Sequence, residues 1–268
     1  QANADLSKHK YYPKGLQDKI DSKEIKDQKL KDELYKVLSY AHLPQENLHD
    51  TLVKNCSNQE SNCYAQVRGI NYRQARSYLF GKLHLLTSNS GKHTVKDLYC
   101  NQMVGAESGV GPMQIPDHTK MNCEHTWPQS RFNKRENSKL QKTDLHHLYP
   151  VNSRANSSRG NLIFAEVNGE PVSSVCNQSA RGKAIGTRTT AFEPPNSHKG
   201  NVARAIFYFS TRYRTRISDL EEGYLRQWHE MDPVDEKEIA RNEGIYKIQK
   251  NRNPFIDNPH LINTIQDF

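Results

Sequence analysis

The sequence predicts a mixed α+β fold with many helices around a small sheet. Three observations carry that expectation. Apolar residues recur at helical spacing in two distant segments: Leu30, Leu34, Val37 and Leu38, and then Val202, Ala205, Ile206, Phe209 and Tyr213. Short runs such as Leu83-His84-Leu85-Leu86 and the stretch from Thr94 to Cys100 fit strands. Between Lys120 and Asn161 the local order reads strand, loop, strand, helix.

Taken in order, residues 1 to 44 are a polar, charged lead-in with helical stretches. The Leu30–Leu38 stripe packs one helix on the main body before Pro44. Gln45 to Ser61 is polar and reads as loop. Asn71 suits the N-cap of a helix through Leu79, with Gly81 just past its end. Ser88-Asn89-Ser90-Gly91 supplies a turn between the two short strands. The stretch from Gly105 to Pro116 is glycine-rich but has no Gly-Lys-Ser/Thr ending, so it reads as a surface loop. Lys120 to His125 is a strand, Thr126 to Thr143 a polar excursion and Asp144 to Tyr149 the return strand. Asn152 to Ser158 is a helical or turn segment leading to Asn161. Arg181 to Thr190 is read as a basic, glycine-spaced loop stopped by Pro194-Pro195.

Asn201 is taken as the N-cap of the helix carrying the Val202 stripe, which belongs in the core. Helices follow from about Asp219 to His229 and from about Val234 to Ile248. The tail from Asn251 to Asp257 has turn chemistry and reads as an extended loop. With no repeat and no Pro/Gly/Ser linker, residues 1–268 read as one domain, with 1–60 as a helical N-terminal extension.

A chain of 268 residues can bury a full core. The apolar fraction of 34% is low, and no apolar run approaches the roughly 18 residues of a membrane span. The net charge is +8 and unevenly placed. Lys120 to Arg216 holds 16 basic and 6 acidic residues, whereas the remainder holds 22 and 24. A positive field there would attract a polyanion; the plainer reading is solubility alone. The N-terminus lacks the apolar core of a signal peptide, and Gln1-Ala2-Asn3-Ala4 fits what is left after removal of one. The five cysteines form no Cys-x-x-Cys, which argues against structural zinc. Cys56 and Cys63 suit a short disulfide loop and one further pair fits among Cys100, Cys123 and Cys176, leaving one thiol. This weakly favours an oxidising compartment; spacing alone fits reduced thiols nearly as well.

The chemistry gathers around Asn122-Cys123-Glu124-His125-Thr126-Trp127-Pro128-Gln129-Ser130. Hydrolysis of a phosphodiester needs a deprotonated water, a stabilised phosphorane and help for the leaving alkoxide. His125, with an ordinary pKa of about 6.5, is the natural general base. Glu124 can hold a hard divalent ion through oxygen, and Asn161 can add a neutral oxygen. Two protein ligands suit magnesium, which keeps much of its water. Neighbours on a strand point to opposite faces, so Glu124 and His125 share a site only if the strand ends or bends there, as Pro128 allows. A lone Glu-His pair is mostly surface chance. Its combination with Trp127-Pro128, His146-His147 and Arg159-Gly160-Asn161 is far more specific. On a return strand only one of His146 and His147 would face the site, the other being structural. Trp127 is expected to pack, and Asp144 to anchor the hairpin by hydrogen bonds.

The runs Cys123 to Ser130, Asp144 to Pro150 and Arg159-Gly160-Asn161 resemble the bacterial endonuclease I family, secreted or periplasmic nucleases of the ββα-metal (His-Me finger) type. The likeness extends to Phe192-Glu193-Pro194-Pro195, to His198 through Ala205 and to Asn251 through Phe255, roughly residues 65 to 260. The resemblance implies a ββα-metal finger at 120–165 with His125 as base. Glu124 and Asn161 would hold one Mg2+, or another divalent cation such as Ca2+ or Mn2+, and the products would carry 5′-phosphates. It also implies a phosphate-gripping arginine, for which Arg131, Arg135 and Arg159 stay open, with Asp144, His146 and His147 in supporting roles. The expectation is a secreted, monomeric, sequence-nonspecific endonuclease acting on nucleic acid, with DNA as the expected substrate and the choice between DNA and RNA left open, and with no membrane partner. Two rivals stand beside it: a noncatalytic nucleic-acid-binding protein that kept the finger, and an RNA-preferring ribonuclease of the same family. A zinc protein hydrolase ranks last, since no His-Glu-x-x-His occurs.

Overall fold

A computed structural model describes residues 5–57, 61–67 and 69–268; the expected signal remnant, residues 1–4, lies outside them. Ten α-helices and eleven short strands occur among the described residues, so the mixed α+β class holds. A single small sheet does not. The strands form four separate small sheets. The chain divides into two compact units, Gln1–Gly69 with Phe207–Arg216 and Val234–Phe268, and Ile70–Ile206 with Ile217–Pro233.

The first unit opens with α1 (Leu16–Asp21) and α2 (Asp27–Ser39). Leu30, Leu34, Val37 and Leu38 are all buried on α2, in keeping with their spacing. Next come β1 (Ala41–Leu43) and β2 (Thr51–Val53), paired antiparallel. The second of these lies where loop is expected from sequence. Three residues are too few for alternation to register.

In the second unit α3 (Tyr72–Tyr78) begins at Asn71 with a reciprocal cap: Gln74 N donates to Asn71 Oδ1 and Asn71 N to Gln74 Oε1, both at 2.9 Å. Gly81 does not end the helix. It sits in a wide turn, Leu79–Leu83, where a Cβ would lie 2.2 Å from the Met113 amide nitrogen. Strands β3 (Leu85–Thr87), β4 (His93–Lys96) and β5 (Met103–Gly105) form an antiparallel sheet. The expected turn lies between β3 and β4, with Gly91 at φ 78°. Then come β6 (Met121–His125), α4 (Ser138–Thr143), β7 (Leu148–Asn152) and α5 (Ser153–Arg159).

A four-stranded sheet of order β8-β11-β10-β9 follows, from β8 (Ile163–Phe164), β9 (Val167–Ser173), β10 (Cys176–Ala184) and β11 (Thr190–Glu193). This corrects the loop expected from Arg181 to Thr190, because Arg181 to Ala184 lies inside β10. Gly182 pairs with Gly169, and a Cβ on Gly182 would come 2.5 Å from the Gly169 Cα. That glycine permits close approach of strands and marks no loop.

Helix α6 (Asn196–Tyr213) starts five residues before the expected cap, Asn201. From Val202 to Tyr213 every side chain is buried, so the apolar stripe belongs to a helix covered on all sides. Helix α7 (Asp219–Met231) lies close to expectation, capped by Ser218. The first unit resumes with α8 (Glu236–Gln249), α9 (Pro254–Asp257) and α10 (Leu261–Thr264). The tail expected as extended loop is a buried polar knot. Arg252 donates to Asp257 (2.7 and 2.9 Å) and Glu243 (2.6 Å), Asn251 donates to the Tyr208 hydroxyl (2.6 Å), and Asn253 caps α9. Its turn-forming residues satisfy one another in the interior.

Disulfides join Cys56 to Cys63 and Cys100 to Cys176, and Cys123 remains a buried thiol. Gly200 on α6 donates its N–H to Asp232 Oδ2 at 2.9 Å, and a Cβ there would meet the Asp232 carbonyl oxygen at 1.9 Å. Gly200→Ala should therefore destabilise the protein by about 1–3 kcal/mol through overpacking. Denaturant unfolding at wild-type stability would show that the α6–Asp232 approach is not as tight as described.

Candidate active site

Strand β6 pairs antiparallel with β7, placing Glu124 opposite Tyr149 and His125 opposite Leu148. Helix α5 follows β7 at once, because Asn152 Oδ1 accepts the amide hydrogens of Arg154 (2.9 Å) and Ala155 (3.1 Å). Gly160 ends the helix at φ 55°. Asp97, buried just after β4, links this hairpin to its surroundings: its Oδ1 accepts from Asn152 N (2.8 Å) and Tyr99 N (2.9 Å).

Tyr99 in turn donates its hydroxyl to Glu124 Oε1 at 2.9 Å, and Arg159 Nη1 meets the same oxygen at 2.9 Å. Glu124 is 3% exposed and Arg159 1%. Burial raises the carboxyl pKa, while Arg159 and then Tyr99 oppose the rise. The guanidinium also donates to the carbonyls of His125 (2.9 Å) and Thr126 (2.5 Å) and lies over the Phe164 ring. One buried cation thus clamps the carboxylate and the strand end that carries the histidine.

His125 is the last residue of β6 and shares none of these side-chain neighbours. Its ring contacts Tyr72, Phe132 and His147 at centroid distances of 5.7, 6.2 and 5.4 Å. Nε2 lies 3.0 Å from the Lys142 carbonyl, and His147 Nε2 lies 2.7 Å from the Gln141 carbonyl. Both carbonyls belong to the last turn of α4, where helix geometry leaves such oxygens without partners. A carbonyl only accepts, so Nε2 carries the proton and Nδ1 keeps the basic lone pair, with the Gln129 amide 3.5 Å away. Burial, and next the nearby His147, pushes the imidazole pKa down to about 3. The ring is neutral, with its lone pair on Nδ1.

The Endonuclease I family model matches residues 28–260. The chain belongs to that family. It is 36% identical over 162 residues to an extracellular ribonuclease of Bacillus subtilis (strain 168), covering 54% of this chain and 53% of that protein. It is 32% identical over 116 residues to an extracellular deoxyribonuclease of Aeromonas hydrophila, covering 42% and 48%. The chain thus spans about half the length of the curated relatives it matches.

In this Endonuclease I family member the sequence-expected residues are distributed unevenly. Arg159 Nη1, besides meeting Glu124, reaches the Gly160 carbonyl at 3.4 Å, the residue before Asn161. Asn161 itself is exposed in the turn after α5. The described residues contain no group of three or more His, Cys, Asp or Glu that could hold a metal. Oxygen donors such as Glu124 and Asn161 fit in type a hard cation that retains its water. Arg159 is committed to this clamp, and Arg131 pairs with Glu221 at 3.0 Å and lies over the Trp127 ring. Arg135 is exposed.

His146 and His147 do not lie on a strand. Leu145–His147 is a 3-10 turn capped by Asp144, whose Oδ1 accepts from His146 N at 3.1 Å, and β7 begins only at Leu148. Both histidines are therefore buried at once. Sequence reasoning missed Tyr99, Asp97 and the Lys142 carbonyl, none of which belongs to a motif. Removing one partner of a buried ion pair costs about 3–5 kcal/mol. Arg159→Ala should lose that much in denaturant unfolding, and adding Glu124→Gln should recover part of it. Strictly additive effects would mean the two side chains are uncoupled.

Proposed function

We propose that the protein is a secreted endonuclease that hydrolyses phosphodiester bonds in nucleic acid without reading base sequence. The observation that carries this reading is His125: a buried neutral imidazole with Nε2 bonded to a backbone carbonyl and Nδ1 left as the base, directly beside a buried carboxylate. On this reading β6, β7 and α5 form the ββα-metal finger, and the whole chain 1–268 acts as one nuclease domain with residues 1–60 as its extension. The family match across 28–260 supports that assignment.

In the proposed reaction His125 Nδ1 accepts a proton from a water whose oxygen bonds to phosphorus. The bond from phosphorus to the 3′-oxygen breaks, and the departing alkoxide takes a proton from solvent, giving a 3′-hydroxyl and a 5′-phosphate. Arg159 holds Glu124 and the His125 carbonyl in fixed relation, so base and carboxylate cannot drift apart. Glu124 and Asn161 are the residues that would hold a divalent cation, most simply magnesium, which would supply charge stabilisation to the phosphorane and the departing oxygen. The two disulfides and the extracellular relatives favour an oxidising location outside the cytoplasm. No helix among the described residues is long and apolar enough to cross a membrane.

A ribonuclease preference is a second reading, because the Bacillus subtilis relative, which matches over 162 residues, is named a ribonuclease. Parallel digestion of plasmid DNA and RNA with magnesium, calcium, zinc and EDTA decides between them. Metal-dependent fragments are expected, and none with any metal would leave only a binding protein. His125→Ala should fall at least about a hundredfold in cleavage rate while still folding cooperatively and binding substrate. An active His125→Ala protein would refute the general-base assignment.

A further inference from the structure

A nuclease whose Arg159 and Arg131 are both bound to carboxylates still needs a cation that can meet phosphate beside His125. The structure places two on the aromatic ring that packs against His125. Helix α3 presents Tyr72 in its first turn and Arg76 four residues later on the same face. The Tyr72 ring lies 5.7 Å from the His125 imidazole, inclined by 33°. The Arg76 guanidinium carbon stands 4.8 Å from the centre of that ring, and Lys142 Nζ stands 4.7 Å from it. Lys142 is also the residue whose carbonyl binds His125 Nε2, so its side chain and the base share one anchor.

Neither cation has a carboxylate partner. Among the described residues no ion pair involves Arg76 or Lys142, and Arg76 Nε is buried without a hydrogen-bond partner. Tyr72, Arg76 and Lys142 are each half-buried, so a ligand can reach them. Two unneutralised cations on one aromatic ring repel each other, and a bound anion relieves that cost. The tyrosine ring face holds both cations by cation–π attraction while its ring packs against the base.

We propose that Tyr72, Arg76 and Lys142 form the phosphate-binding wall of the site, with Arg76 the residue that grips a backbone phosphate of the substrate. This rests on the nuclease reading above and changes its arginine. The ligand class is a nucleic-acid phosphodiester, held by charge and independent of base identity. None of the three arginines suggested by the sequence is needed for it.

The test is binding of a fluorescently labelled DNA duplex, and of a labelled RNA strand, in EDTA across a salt series. Wild type, Arg76→Ala, Arg76→Lys, Lys142→Met and the control Lys237→Ala are compared, with unfolding curves for each. Loss of one phosphate contact should weaken duplex binding roughly tenfold at low salt and flatten the log–log salt dependence by about 0.9. Arg76→Lys should keep much of the slope, and Lys237→Ala should match wild type. In the magnesium cleavage assay Arg76→Ala should raise KM more than it lowers kcat. A folded Arg76→Ala protein with wild-type affinity and slope overturns the proposal. If that variant does not fold, Lys142→Met decides by the same criterion. Wild-type protein that binds but never yields metal-dependent fragments would sink the nuclease reading and leave the binding wall standing.

Discussion

The structure around the site depends on one buried contact, Glu124 with Arg159. An unpaired carboxylate at 3% exposure would cost several kcal/mol, so the arginine is obligatory once the glutamate is inside. Arg159 sits at the end of α5, and α5 can start immediately after β7 only because Asn152 caps it. The same guanidinium binds the His125 and Thr126 carbonyls, which extends the constraint to the strand end. Tyr99, held by Asp97, completes the enclosure from the β4 side. Hairpin and helix are therefore locked together by polar groups as well as by buried side chains such as Met121, Leu148 and Val151.

The second organising feature is the C-terminal end of α4. Its last carbonyls lack intrahelical partners, and two histidine rings take them. The polar excursion between the strands thus has a structural role, because it returns the end of a short helix to the hairpin and orients the imidazole. Gln141 reinforces the arrangement by bonding Asn133 at both amide and carbonyl. A histidine held this way keeps one tautomer, with its lone pair on Nδ1.

Much of this is legible in the chain, and the departures have identifiable causes. Local signals are readable because they act locally: the Asn71 cap, the helical or turn segment from Asn152 and the turn at Gly91 all lie within a few residues of what they control. Two glycines mislead, since Gly81 and Gly182 are set by close approach of distant backbone and not by turn chemistry. The return strand begins late because Asp144 caps a 3-10 turn, moving both histidines off the strand. Asn201 resembles a cap because its residue type fits one, yet α6 is covered on all sides and begins earlier. The tail from Asn251 reads as exposed because its residues favour turns; buried partners satisfy them instead.

Taken alone, the sequence determined the mixed class, the Leu30 stripe, the concentration of basic charge and the short Cys56–Cys63 loop, and it singled out Glu124-His125 as the candidate centre. These are properties of type and spacing, which a linear chain displays. Tertiary structure decided which arginine was spent on the buried glutamate, which on Glu221, and which cations gathered on the Tyr72 ring. It also decided that Cys100 paired with Cys176, 76 residues away, and that Cys123 did not pair. Partnership between residues far apart in the chain leaves no periodic trace in the sequence, because it is fixed by burial and by the cost of leaving a charge or polar atom unmatched.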